Sequence, residues 1–376
     1  MSDSVEDHTP FHYDIPTTMK KSLDDIRARI DAIDGRLVKL LNQRAKLGQA
    51  IAEVKKRDGR PVYHPARENE ILERVVGLND GPLPDGPLTN IFREIFSATR
   101  AVERELKVAS LGVAGSYSHL AALKLFGHSA VHLHEASFDD VFAAVEKGQA
   151  DYAVVPVENS IEGPIGQTLD LLATSPLTVY AEHCYPIRLT VMAKADDLSK
   201  VKTLYTHYMP RAQSRRWLGA HLSGVKVVET PSSSEAAARA AKDPDGAAIG
   251  SAEAAALYGL STLVEGIEEN PGNQTRFFVM SRTAPPKGKR NKTSLVLSAN
   301  DEAGALFSIL RPFAQGGINL SKIISRPDRS GRWEYRFFID IDGDADDPKV
   351  AACLKKVARS AKSLKIVGAY PAADGV

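Results

Sequence analysis

Thr275 and Arg276 stand where the polar run "GNQ" meets the hydrophobic "FFVMS". A hydroxyl beside a guanidinium suits proton donation and anion binding. No histidine or carboxylate follows within the next few residues to complete a nucleophilic triad. A second set of candidates is cationic: Arg27, Arg44, Lys55, Arg60 and Arg67. At 3.6 residues per turn, Arg44 and Lys55 differ by only ~20° around a helix and lie roughly 16 Å apart along it, so two long side chains can converge on a small anion. Arg27 lies about 100° from Arg44 and fits the site of a partner chain better than this one. Spacing alone leaves blander readings open. The cations also fit solvated helix faces with pairs such as Arg27–Asp31, Thr275 also fits the first residue of a strand, and Glu158-Asn159-Ser160 also fits an ordinary turn.

The elements that must position these residues follow from periodicity. Leu23, Ile26, Ile30, Ile33, Leu37, Leu40, Leu41, Leu47, Ile51 and Val54 recur at mostly three- and four-residue spacings. They form one apolar stripe on a helix of roughly 34 residues, about 50 Å long. Gly59 and Pro61 end it. "PARENEILERVVGL" predicts a second helix, "NDGPLPDGPL" a loop and "LTNIFREIFSATRAVEREL" a third helix. The long helix outreaches two short ones, which implies packing against a second chain. From Lys107 strands and helices alternate up to "TRFFVMSR", an α/β region with a cleft between two lobes. "TAPPKGKRNK" reads as a linker. The remainder reads β-α-β-β-α-β, a small ferredoxin-like module.

Bulk properties narrow the function classes. The 376 residues allow two or three domains. A net charge of +1 gives no global field for nucleic acid or an acidic membrane surface. Cys184 and Cys353 have no metal-ligand spacing and favour a reducing compartment. The N-terminus is polar and lacks the apolar core of a secretory signal, and no apolar run approaches the ~20 residues of a membrane span. The expectation is a cytoplasmic protein without metal or cofactor.

The N-terminal pattern resembles the helical chorismate mutase domain. The resemblance covers "LDDIRARIDAIDGRLVKLLNQRAKLGQAIAEVKK", "RPVYHPARENEIL" and "IFREIFSATRAVERE". It implies that Arg27 (from the second subunit), Arg44, Lys55 and Arg67 bind the carboxylates and ether oxygen of chorismate, and that Glu68 takes a substrate hydroxyl. It also brings His64, Thr99 and Glu103 to ligand-contact positions. A Claisen rearrangement needs a folded substrate and fixed positive charge, not a nucleophile, and Arg and Lys on rigid helices supply both. Glu103 stands where some relatives have Gln. Glu donates a hydrogen bond only when protonated, its reference pKa is ~4.3, and nearby cations favour the ionised form. The expectation is a mutase rate that rises as pH falls.

Five later segments, in order, resemble prephenate dehydratase: "LGVAGSYSHLAA", "YAVVPVENSIEG", "SSSEAA", "AAIGSAEAAALYGL" and "NQTRFFVMS". The resemblance implies that Thr275 is catalytic and that Ser118, Glu158, Asn159, Ser160, Ser233 and Arg276 bind prephenate. The family's S-H-P-Q-A run appears as "THYMPRA", which keeps His207 and displaces the Pro-Gln pair. Residues 293–370 resemble the ACT regulatory domain. There Gly304, Ala305, Leu306, Asn319, Ser325 and Arg326 would bind L-phenylalanine at a dimer interface, and Ile324 replaces a usual Glu. Together these resemblances imply a multidomain fold. A helical mutase domain spans 21–107 after a disordered tail (1–20), and a two-lobed α/β dehydratase domain spans 108–284. A linker (285–292) then leads to a ferredoxin-like α+β ACT domain at 293–376. The implied activity turns chorismate into prephenate and then phenylpyruvate, in a homodimer or higher homo-oligomer inhibited by L-phenylalanine.

Overall fold

The computed structural model describes residues 22–327 and 335–373. The tail expected over 1–20 lies outside the described residues. The chain divides into two units, 1–47 and 48–376, and helix α1 (Leu23–Asp58) runs from the first into the second. In the first unit, Ser22 and Asp25 cap the helix start reciprocally: the Asp25 N–H donates to the Ser22 Oγ, and the Ser22 N–H donates to Asp25. The apolar stripe from Leu23 to Leu47 is solvent-exposed. Arg27 pairs with Asp24 at 3.7 Å, three residues before it, and not with Asp31, the residue four later that spacing suggested.

The second unit opens with the end of α1, then α2 (Pro65–Gly77) and α3 (Asp85–Glu103). The loop expected through Leu88 is shorter than predicted. Pro84 occupies the N-cap in an extended conformation, and Pro87 sits in the first turn, where its missing N–H costs no helical bond.

The dehydratase-like region comprises β1 (Lys107–Leu111), α4 (Tyr117–Phe126), β2 (Val131–Glu135), α5 (Phe138–Glu146), β3 (Tyr152–Asn159), β4 (Gly163–Pro164), α6 (Gly166–Thr174) and β5 (Thr178–Pro186) in one lobe. The second lobe holds β6 (Thr190–Ala193), β7 (Thr203–Thr206), α7 (Tyr208–Gln213), α8 (Arg215–His221), β8 (Lys226–Glu229), α9 (Ser233–Ala240), β9 (Gly246–Gly250), α10 (Ala252–Leu257) and β10 (Ser261–Glu265). Strand β11 (Gln274–Ser281) returns to the first lobe and lies between β3 and β5, antiparallel to both. The sheet orders are β2-β1-β3-β11-β5 and β10-β6-β9-β7-β8. Serines set the helix starts after the strands. The Oγ atoms of Ser116, Ser137, Ser232 and Ser251 accept backbone N–H groups at the N-termini of α4, α5, α9 and α10.

The C-terminal module is β12 (Asn291–Ser298), α11 (Ala305–Gln315), β13 (Leu320–Pro327), β14 (Tyr335–Asp342), α12 (Pro348–Ser360) and β15 (Ser363–Pro371), with sheet order β13-β14-β12-β15. This is the β-α-β-β-α-β order read from the sequence. One face of its sheet packs on its own helices through Leu295, Ile309, Phe313 and Val357. The other face joins the dehydratase core, where Val296, Phe338, Val367 and Tyr370 cluster with Val155, Leu172 and Phe278. The approach is close enough to require glycine at 368, because a Cβ there would meet the Val179 carbonyl oxygen at 2.6 Å.

Candidate active sites

Strand alternation decides which residues meet in the cleft. Thr275 lies opposite Asn159, and Arg276 lies opposite Glu158, across the β3–β11 ladder. Neighbouring residues on a strand point to opposite faces. Thr275 and Asn159 therefore share one face, and Arg276 and Glu158 share the other. A register shift follows Arg276, the kind of bulge that re-aims side chains beside a site.

The Thr275–Asn159 face lines a cleft of about 920 Å³ together with Ser116, Ser118, His207 and Ser233. The Asn159 Nδ2 lies 3.0 Å from the Thr275 Oγ1 and 2.9 Å from the Asn273 Oδ1. The Asn159 Oδ1 accepts the Ile161 and Glu162 N–H groups, which fixes the amide orientation. Asn159 thus donates to the threonine oxygen and leaves the Thr275 hydroxyl proton free for a ligand. Residues at the starts of α4, α6, α7 and α9 border the same cleft. Helix N-termini carry partial positive charge and unpaired N–H groups, so their convergence favours an anion. Burial lowers the pKa of His207, against the pull of Glu229, and its Nδ1 accepts the Met209 N–H. Both favour the neutral imidazole at the cleft wall.

Three residues expected in this cleft lie elsewhere. The Arg276 guanidinium is buried, donating to Glu182 at 2.8 and 2.5 Å, to Asp340 at 2.5 Å and to the Tyr370 hydroxyl at 3.0 Å. Glu158 pairs with Lys322. Both reach the C-terminal module because strand alternation turns them away from Thr275. Ser160 braces the strand end instead, where its Oγ accepts the Gln274 N–H at 3.0 Å.

Among the helices of the second unit, Lys55 Nζ lies 3.1 Å from Glu103 Oε2 and also donates to the Val62 carbonyl. Thr99 faces Gly48, where a Cβ would come within 2.5 Å of the threonine methyl. His64 caps α2 through Nδ1, which accepts the Arg67 N–H, and burial lowers its pKa. The Arg67 side chain pairs with Glu70 at 3.0 Å. Glu68 departs from expectation. It pairs with buried Arg100, whose guanidinium also donates to the Phe126 carbonyl at 2.8 Å. Glu68 satisfies a cation that joins α3 to the end of α4, a partner that spacing along one helix does not reveal. Arg44 and Arg27 belong to the first unit.

In the C-terminal module, Gly304 has φ +83° just before α11, and Ala305 and Leu306 begin that helix. Asn319 donates to Asp342 at 2.8 Å, and Ser325 is exposed on β13. Arg326 turns from Ser325 towards α6 and pairs with Asp170 at 3.4 Å over Gly166. That contact removes it from the expected effector group. Ile324 packs on the core shared with the dehydratase region, which accounts for an apolar residue there.

The chain matches family models for chorismate mutase type II over residues 26–104, prephenate dehydratase over 108–285 and the ACT domain over 293–359. A bifunctional chorismate mutase/prephenate dehydratase of Aquifex aeolicus is 39% identical over 358 residues, covering 94% of this chain and 99% of the relative. The chain belongs to the bifunctional chorismate mutase/prephenate dehydratase family. The enzyme of that description from Neisseria gonorrhoeae is 40% identical, with 94% and 99% covered. A solved prephenate dehydratase from Arthrobacter aurescens, in complex with L-Phe, is 34% identical with a TM-score of 0.67, covering 72% of this chain and 91% of that one.

Sequence reasoning missed Ser116, Ser232 and Asn273. The first two cap helices that border the Thr275 cleft, and Asn273 anchors the Asn159 amide. A serine between a strand and a helical pattern is a readable N-cap signal. The role of Asn273 depends on a contact 114 residues away.

Proposed function

We propose that this bifunctional enzyme converts chorismate to prephenate at its helical domain and prephenate to phenylpyruvate at the Thr275 cleft, for phenylalanine synthesis. The single observation that carries the dehydratase half is the Asn159–Thr275 hydrogen bond in a cleft bordered by helix N-termini. Those N-termini hold the substrate's carboxylates. The Thr275 hydroxyl donates its proton as the ring C–O bond breaks, and the hydroxyl leaves as water. The C–C bond to the ring carboxylate breaks at the same time, its electron pair completes the aromatic ring, and CO₂ departs. Threonine recovers its proton from solvent. Aromatisation drives the step, so no covalent nucleophile is needed.

In the mutase half, Lys55 and Glu103 are the contacts to the ether oxygen and its surroundings, and His64, Arg67 and Thr99 bind the substrate with them. Arg27 reaches the pocket of a second copy. The exposed apolar stripe of the long helix supports a homodimer built on that face. L-phenylalanine binding by Gly304, Ala305, Leu306, Asn319 and Ser325 provides feedback, with unequal affinity for two states of the assembly.

The test is to incubate purified protein with chorismate and follow prephenate and phenylpyruvate, with and without phenylalanine. Sequential appearance of both products, with the second suppressed by phenylalanine, supports the assignment. Prephenate that accumulates without phenylpyruvate refutes the dehydratase half.

A further inference from the structure

The residues that face away from the cleft form a unit of their own. Arg276 and Glu158 sit opposite each other across β11 and β3. Lys322 and Asp340 sit opposite each other across β13 and β14. Arg276 pairs with Asp340, and Glu158 pairs with Lys322. The four side chains make a square of alternating charge between the dehydratase sheet and the ACT sheet. Its strongest corner is buried: Arg276 and Asp340 are 5% and 6% exposed. Ser294 donates to the other Asp340 oxygen at 2.5 Å, and Lys292 reaches Glu182 at 3.1 Å. On the opposite face, one residue along each strand, stand Thr275 and Asn159.

We infer that this square is the positioning device of the dehydratase reaction: the ACT sheet, through Asp340 and Lys322, fixes Arg276 and Glu158 and so sets the Asn159–Thr275 hydrogen bond. Arg276 and Glu158 touch no substrate. They act through the backbone that each shares with its neighbour. A threonine hydroxyl has free rotation and depends on its neighbours for aim. A guanidinium held by two carboxylates, through Nη1 to Asp340 and through Nε and Nη2 to Glu182, is a rigid means of holding the adjacent Cα. Small displacements of a donor are costly where catalysis rests on orientation. The inference rests on reading Thr275 as the proton donor.

The test uses the full chain with Asp340→Asn, alone and combined with Thr275→Ala. Asp340→Asn should lower dehydratase kcat at least tenfold, leave KM within twofold and leave mutase turnover unchanged. In the Thr275→Ala background it should change the residual dehydratase rate by less than twofold, because the group it positions is gone. An unchanged kcat, a loss confined to KM, or the same tenfold loss in both backgrounds overturns the inference. Lys322→Met, at the more exposed corner, gives the same readout if Asp340→Asn does not fold. Thr275→Ala alone separates the two readings: wild-type dehydratase turnover in that variant removes the donor role itself, whatever Asp340→Asn does.

Discussion

The amide nitrogen of Asn159 lies 3.0 Å from the hydroxyl oxygen of Thr275. The amide can only donate at that nitrogen, so the hydroxyl oxygen accepts and its own proton points to a third party. Thr275→Ala is expected to lower dehydratase turnover by ~10²–10⁴-fold, the usual scale for a positioned proton donor. Thr275→Ser should keep most of it, and mutase turnover should be unchanged in both. Asn159→Asp places an acceptor where the donor was and draws the threonine proton towards itself. It should cost more dehydratase turnover than Thr275→Ser. Coupled assays of phenylpyruvate release decide the order of these variants.

Glu103 sits in an ion pair with Lys55 at 3.1 Å, its side chain only 6% exposed. A carboxylate in that pair accepts, whereas stabilising an ether oxygen requires a donor. Glu103→Gln supplies that donor and should raise mutase kcat/KM at neutral pH. A value equal to wild type would remove Glu103 from the reaction.

Gly368 has no room for a methyl group, since a Cβ would lie 2.6 Å from the Val179 oxygen and 2.9 Å from its nitrogen. Those are backbone atoms of a central-sheet strand and cannot swing aside. Gly368→Ala should destabilise the second unit by about 1–3 kcal/mol, the usual cost of overpacking. The same variant should weaken the square of ion pairs next to it and lower dehydratase more than mutase activity. Thermal unfolding and the two assays on one preparation check this.

A group of histidines makes stability acid-sensitive. His119 is held down to about 4 by burial and by the neighbouring His134, His132 and His128. His183 is held at about 4 by burial, with Arg93 and Lys124 adding to it. In the unfolded chain these imidazoles take protons near 6.5. Between those values the unfolded state binds more protons than the native state, so stability falls as pH drops through that window. Tm should decrease by roughly 5 °C or more on going from neutral pH to about pH 5. His183→Gln removes one such group and should make the decline shallower. A Tm–pH curve parallel to wild type would show that His183 does not contribute.

Much of the architecture is legible because it rests on local rules. The stripe from Leu23 to Val54 dictates a long helix, and α1 runs from Leu23 to Asp58. The alternating strand and helix segments after Lys107, and the β-α-β-β-α-β order at the end, follow from period and turn residues. Thr275 and Asn159 were visible as motif residues, and both line the cleft. The family resemblance groups Arg276 and Glu158 with them, but neighbours on a strand face opposite sides. The ion pair of Glu68 is hidden for another reason. Its partner Arg100 lies 32 residues on, in a different helix, and no pattern along one helix could signal that. Helix α3 began early because Pro84 and Pro87 read as loop residues, while the first helical turn accepts proline freely.

Glu182 neutralises two cations, Arg276 of the dehydratase region and Lys292 on strand β12 of the C-terminal module. Each region is neutral by itself, Arg276 against Glu182 and Lys292 against Asp340, but the contacts interleave across the boundary, because Arg276 also pairs with Asp340 and Lys292 with Glu182. The segments are therefore not interchangeable cassettes. A chimera that grafts a foreign regulatory module after residue 285 keeps the Arg276–Glu182 pair but loses the second carboxylate on Arg276 unless the graft carries an acid at position 340, and that acid then needs a base at position 292. Recombination between relatives is expected to tolerate joints elsewhere more readily than at this boundary, because a crossover here separates charges that were buried as a set.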